Sequence, residues 1–365
     1  MNIGYDFYKH YNLLVKKDVY TGNGLSALIN IGNSCFVNSI LQCLSNTLKL
    51  TDYFLSTQYK EDIDTKKNYY FLVHSYLVLL NNIWDNNQLI KPKSFLENLS
   101  KFHKKYFSLE QQDSYECLLY ILDIFHKGLK YEIEIDITGE SKNEYDILMI
   151  KSFQWWQNLY QNDYSIIINL FYGSIIKGIT CDKNCGYNET IFEQYNSFTL
   201  SINQNSLNEN LYECLDNHFN VLEQVNDWKC EKCLEIGCVK QYKLWSLPNY
   251  IIINFKRFTS DSKKLTNHIS FPLQNLDLTK YISKNKNDTN NYIYDLYAIN
   301  YHHGDGLNTG HYTSSCKNLD NNWYNYNDGN ITKYENTTNL QTQLVTNDAY
   351  ILFYNRKFIT GPRLM

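Results

Sequence analysis

From residue 35 to 48 the chain reads CFVNSILQCLSNTL, and Val37, Ile40, Leu41, Leu44 and Leu48 recur at the spacing of one helix face. This predicts an amphipathic helix, with Asn33 and Ser34 as capping residues just before it and Cys35 in its first turn. A second helix is predicted over 114–125, where Cys117, Leu118, Ile121, Leu122 and Phe125 share one side and Asp113 supplies the N-cap. Apolar-periodic segments near 71–84 and 93–107 make the first 130 residues mainly helical. From about Ile175 the pattern changes. Runs rich in β-branched and aromatic residues at 250–255 (YIIINF), 292–301, 323–326 and 349–354 (AYILFY) predict strands. No repeat is visible. A helical lobe followed by a sheet region predicts an α+β architecture with a site between the lobes.

Composition narrows the chemistry. A chain of 365 residues, 43% hydrophobic and 20% charged, can bury a sizeable core. No run of eighteen apolar residues predicts a membrane span. The first twenty residues carry neither an apolar signal core nor an Arg/Ser-rich transit pattern, so a cytoplasmic or nuclear site is expected. A net charge of −4 and a pI near 6.1 argue against nucleic acid as the main partner. The same charge suits a basic protein substrate, or simply solubility. Asn, Tyr, Lys and Ile are abundant beside 15 Gly and 4 Pro, as AT-rich coding in a protist or large virus would give; for a virus the compartment is the host cell's. On composition, 283–291 and 336–342 read as Asn-rich loops.

Ten cysteines in such a chain are expected to be thiols and metal ligands rather than a disulfide framework. Cys35 at a helix start would meet unpaired backbone N–H groups and the positive end of the helix dipole, which favour a thiolate nucleophile; the placement equally suits a small buried hydrophobe. Cys181/Cys185 and Cys230/Cys233 form two pairs, which read as a structural zinc site or as unliganded thiols, with Cys238 near enough to substitute. Four Cys ligands would leave no open position for catalysis by the metal.

Asn30-Ile31-Gly32-Asn33-Ser34-Cys35-Phe36-Val37-Asn38-Ser39-Ile40-Leu41-Gln42 closely resembles the cysteine box of the ubiquitin-specific proteases, with Ser for its Thr and Ile for its Leu. Tyr294-x-Leu296-x-Ala298-Ile299, His302-x-Gly304 and Gly310-His311-Tyr312-Thr313 resemble that family's histidine box. Trp323-Tyr324-Asn325-Tyr326-Asn327-Asp328 resembles its third block. Glu110-Gln111-Gln112-Asp113-Ser114-Tyr115-Glu116 is similar to its Gln-Gln-Asp-Ala-x-Glu motif, with Ser for Ala. The resemblance runs from about 24 to 354.

It implies a papain-like fold of thumb, palm and zinc-ribbon fingers. The catalytic domain would span 22–357, with thumb near 22–130, fingers near 170–250, palm in the remaining strands, an extension at 1–21 and a tail at 358–365. It further implies Cys35 as nucleophile, His311 as general base and acid, and Asn327 orienting His311, with Asp328 as auxiliary or alternative. Asn30 would serve the oxyanion hole, and Gln112, Asp113, Glu116 and Gly310 the substrate. Asp113 would also cap its helix. Cys181, Cys185, Cys230 and Cys233 would hold Zn. The implied function is a thiol-dependent deubiquitinase that hydrolyses isopeptide, peptide or ester bonds after the C-terminal Gly of ubiquitin, with no catalytic cofactor; the oligomeric state is open, a monomer being favoured. A non-catalytic ubiquitin-binding protein of the same fold, or a protease for another ubiquitin-like modifier, are the competing readings.

Overall fold

The periodic segment at 35–48 folds as two helices, Cys35–Ser45 and Leu48–Leu55, in the computed structural model. The break has a local cause. Asn46 Nδ2 donates to the Gln42 carbonyl (2.9 Å) and Thr47 Oγ1 to the Cys43 carbonyl (3.1 Å), so short polar side chains take acceptors at the helix end. Residues 4–7, 22–107, 110–206, 208–260, 263–283, 292–306, 309–335 and 339–357 are described. The expected extension and tail therefore lie mostly or wholly outside the described residues.

Helices Tyr70–Asp85, Lys93–Phe102 and Ser114–Leu129 complete the N-terminal lobe. Extended backbone at His103 ends the segment predicted over 93–107 early, and a 3₁₀ turn, Lys104–Phe107, follows. Ile40, Leu41, Leu44, Tyr76, Leu80, Leu122 and Phe125 meet in one buried core. Each such side chain contributes about 1.5–3 kcal/mol by leaving water. The helices Glu144–Tyr160, Ile166–Phe171 and Leu211–Phe219 carry no counterpart in the sequence reading. Glu144–Tyr160 lays Trp155 against Phe192 at 6.0 Å, and Leu211–Phe219 starts at a capping box between Asn210 and Glu213. The Asn-x-x-Glu spacing of that box was a legible start signal.

The principal sheet has the order Asn330–Lys333, Trp323–Asn327, Thr309–Lys317, Ile293–Gly306, Ala349–Arg356, Tyr250–Lys256 and Phe198–Ser201, with Leu276–Asp277 paired to Ile293–Gly306 off this path. Its path is antiparallel except for the Phe198–Ser201 edge. Tyr312 and Cys316 face the Cys35–Ser45 helix, whereas Tyr301 and Trp323 belong to a second core on the other face. A four-stranded sheet, in the order Asn188–Tyr195, Gly173–Cys181, Ile236–Ser246 and Glu223–Lys229, projects separately. The chain is thus α+β, with the Cys35–Ser45 helix clamped between the helical lobe and the principal sheet.

One loop expectation needs correction. Of 336–342, residues 336–338 lie outside the described residues, but Leu340–Leu344 is a short helix. Leu340 and Leu344, four apart, bury one turn against the second core, and that packing outranks the polar composition around them. Of 283–291, only residue 283 is described. Among the described residues no helix is long and apolar enough to cross a membrane.

Candidate active site

Cys35 is the first residue of its helix and is 2% exposed. Ser34 holds the N-cap position but makes no capping bond with its side chain. Its hydroxyl instead accepts from Ile31 N–H at 2.8 Å, and its own N–H donates to Asn30 Oδ1 at 2.9 Å. The loop closes through Gly32 and Asn33, both in the left-handed region (φ 58° and 64°). The side-chain oxygen that would ordinarily cap is spent inside the loop. That leaves the helix start without a side-chain cap beside the thiol, which is what stabilising an oxyanion requires.

His311 stands near the start of Thr309–Lys317 and reaches the Cys35 thiol from the sheet. Its Nε2 bonds Asn327 Oδ1 at 2.7 Å, so Nε2 carries the proton and Nδ1 is the nitrogen left for sulfur. The hydrogen bond with Cys35 is the largest influence on the ring; with Asn327 and Asp328 adding to it and burial opposing, His311 is pushed up to about 9. The candidate nucleophile, base and orienting amide thus come together, although nearly three hundred residues separate the first from the others.

Asp328 does something different from Asn327. Its nearest oxygen is 3.8 Å from His311 Nε2, too long for a hydrogen bond. Its Oδ2 accepts from Asn30 Nδ2 and its Oδ1 from Asn38 Nδ2, both at 2.9 Å, while its carbonyl accepts from Leu28 N–H at 3.1 Å. Asn38 also donates to the carbonyls of Leu28 and Ile29. One carboxylate therefore ties the loop before Cys35 to the sheet and holds the exposed Asn30 amide. Asn38 was missed as a functional residue, although it stands in the cysteine box.

A second buried link was also missed. Ser114 Oγ donates to Asn300 Oδ1, and Asn300 Nδ2 donates to Ser39 Oγ, both at 2.8 Å. Asn300 thereby joins three elements: the Cys35–Ser45 helix, the Ser114–Leu129 helix and the strand Ile293–Gly306. The Ser in place of the family's Ala at 114 supplies one of those bonds.

Asp113 caps its helix through Tyr115 N–H (2.7 Å) and accepts from Tyr350 OH (2.8 Å). Burial raises its carboxyl above the ordinary range, with those two donors opposing. Gln112 lies beside it, half-buried. Glu116 is exposed and paired with Lys105 at 2.5 Å. Gln111 rather than Gln112 touches the histidine loop, its amide donating to the Gly310 carbonyl. Gly310 has to be glycine, since a Cβ would strike the His303 carbonyl and the His302 ring. His302 is fully buried and held down to about 4 by burial, with Lys264 and His303 adding to it. It supports the hairpin as a neutral ring. His303 is fixed by Asp348 at 2.9 Å and Thr313 at 2.8 Å.

The four-stranded sheet carries a separate cluster at its end. The sulfurs of Cys181, Cys185, Cys230 and Cys233 all lie within 4.8 Å of one another, with Cys181–Cys233 at 3.7 Å and Cys185–Cys230 at 3.6 Å. A tetrahedron of sulfurs about 2.3 Å from a zinc ion has edges of about 3.8 Å, so the four fit such an ion. The longer first knuckle is accommodated by left-handed backbone at Asn184 (φ 54°) and Gly186 (φ 76°). Cys238 is buried in the sheet opposite Cys181 and stands outside the cluster.

The family profile described as ubiquitin carboxyl-terminal hydrolase matches residues 26–354. Human ubiquitin carboxyl-terminal hydrolase 2 is 32% identical over 349 residues, covering 92% of this chain and 55% of that protein. The chain thus spans about half the length of such relatives. A protein of Acanthamoeba polyphaga mimivirus, named "Probable ubiquitin carboxyl-terminal hydrolase", is 28% identical over 445 residues, covering 94% of this chain and 93% of its own. In solved structures, the SAGA DUB module of Ubp8, Sgf11, Sus1 and Sgf73 bound to ubiquitin aldehyde is similar in fold. Its TM-score is 0.71 at 24% identity, covering 93% of this chain and 71% of that one.

Proposed function

Since the chain belongs to the ubiquitin carboxyl-terminal hydrolase family, we propose that it is a thiol isopeptidase that cleaves after the C-terminal Gly of ubiquitin. The observation that carries the reading is the convergence of Cys35, His311 and Asn327 beside a helix start without a side-chain cap. A fold kept only for binding has no need of that arrangement.

In the proposed reaction the Cys35 sulfur, as thiolate, attacks the Gly carbonyl carbon. The oxyanion is met by backbone N–H groups at the helix start and by the Asn30 amide that Asp328 aims. His311 gives its proton to the departing lysine amine and the C–N bond breaks, leaving a thioester on Cys35. Water, its proton taken by His311, then attacks the thioester and frees the thiol. Asn327 keeps the imidazole turned toward sulfur throughout. Asp113, desolvated and with no cation bonded to it among the described residues, suits an Arg-bearing tail, with Gln112, Glu116 and Gly310 along the same approach. A fluorogenic amide of the ubiquitin C-terminus tests the reading: steady release is expected, and no release at any protein concentration would contradict it. Faster release from another ubiquitin-like modifier would move the substrate to that modifier.

The proton on His311 sets a pH limit. Its value is raised, so the ring stays charged below about 9 and loses its proton as pH climbs past that point. Neutral His311 cannot protonate the leaving amine, so kcat/KM should fall on the alkaline side near pH 9. A profile with its alkaline limb near the ordinary imidazole value, about 6.5, would contradict the Cys35–His311 contact.

We further propose that Cys181, Cys185, Cys230 and Cys233 hold a structural Zn²⁺ that pins the ends of two sheet hairpins. Metal analysis should find zinc bound, and Cys230→Ala should lose it together with several kcal/mol of stability. Zinc retained in that variant, or none in the parent, would show the cysteines to be plain thiols.

A further inference from the structure

The side of His311 away from Cys35 opens on a pocket of about 440 Å³, within the ~300–1,000 Å³ of sites that take small ligands. Tyr301, His303, Thr313, Asn325 and Asn327 of the sheet form one wall, and Tyr334, Gln343 and Thr346 close it. Beyond the His311 ring, which stays protonated below about 9, the lining holds no Asp, Glu, Lys or Arg. Both ring nitrogens of His303 are committed, to Asp348 and Thr313. The Asn325 side chain makes no hydrogen bond among the described residues, and there Asn327 engages His311 through its oxygen alone. Two amide groups therefore face this tyrosine-walled space with hydrogen-bonding capacity left over.

On the proposed reaction, His311 hands its proton to the departing amine, so that amine must lie against the imidazole. The thiol occupies one edge of the ring and Asn327 another. Gln111, bonded to the Gly310 carbonyl, closes the approach from the helical lobe. The chain that carries the amine is left with the flank that the pocket lines.

We propose that this pocket is a leaving-group subsite, which receives the peptide segment flanking the acceptor lysine and so contributes to the choice of conjugate. The Asn325 and Asn327 amides pair with its backbone N–H and C=O groups, and Tyr301 and Tyr334 pack on its aliphatic atoms. A wall without Asp, Glu, Lys or Arg fits main chain and neutral side chains, and disfavours an acceptor lysine set among strong charges.

This rests on the isopeptidase reading, and two substrates with the same ubiquitin tail separate the two claims. One releases a small aminocoumarin; the other releases the ε-amine of a lysine inside a short neutral peptide. Thr346→Phe fills the pocket, and Asn325→Ala removes an amide without adding bulk. Each variant should lower kcat/KM for the peptide conjugate about ten-fold or more, while aminocoumarin release stays within about two-fold. Parallel loss on both substrates, or no loss on the peptide conjugate, in Asn325→Ala at unchanged melting temperature overturns the subsite. If the parent protein turns over neither substrate, the isopeptidase reading itself has failed, and the subsite with it.

Discussion

Cys35→Ala should lower turnover of a ubiquitin conjugate by about four orders of magnitude or more while leaving ubiquitin binding within about two-fold. Cys35 is buried at the start of its helix, so its sulfur contributes little contact area to a bound protein. Its loss removes the covalent route altogether, and His311 then has no nucleophile to act on. The substitution also shortens a side chain without changing backbone preference, because alanine is the best helix former. Steady-state hydrolysis beside equilibrium binding of ubiquitin makes the measurement. Persistent turnover would mean that the chemistry sits on another group.

Asp328→Ala should lower kcat by about 10²–10³ with KM little changed. The carboxylate does not bond His311; it holds the amides of Asn30 and Asn38. Removing it frees Asn30, whose value lies in the transition state, so the loss falls on kcat. Stability should suffer only modestly, by about 1 kcal/mol, because Asn38 keeps its bonds to Leu28 and Ile29. Asn30→Ala and Asp328→Ala act through one amide, so the double variant should be scarcely worse than the worse single one. Additive losses, or a rise in KM alone, would contradict this assignment.

Much of the site was legible because its residues stand in short ordered blocks. Periodicity placed Cys35 at a helix start and Asp113 at an N-cap, and the histidine and Trp-to-Asp blocks singled out His311 and Asn327, which the structure sets on neighbouring strands. The third group was harder to divide between Asn327 and Asp328. Adjacent residues on a strand point to opposite faces, and only the turn at Asp328, with φ 46°, decides where its carboxylate goes. The Ser39–Asn300–Ser114 link was invisible because a polar residue inside an apolar strand carries no mark of a partner 186 or 261 residues away. The same holds for Asn38. Its amide reads as a helix residue until the sheet folds over it.

The helices at 144–160 and 211–219 escaped for another reason. Their apolar faces are short or aromatic and pack against strands, so the helical period is diluted while the caps, Asn143 and Asn210, remain the clearer signal. Composition misled in the reverse sense at Leu340–Leu344, where two leucines sufficed for one packed turn.

On the proposed reaction, sulfur at the head of one buried helix does covalent chemistry on the ubiquitin terminus. Treating the protein with ubiquitin bearing a C-terminal vinyl sulfone, then mapping the adduct by mass spectrometry, reads out that attack. A single ubiquitin attached at Cys35, absent once the protein is unfolded and absent in His311→Ala at neutral pH, is the predicted result. No adduct, or one spread over the other cysteines, would contradict it.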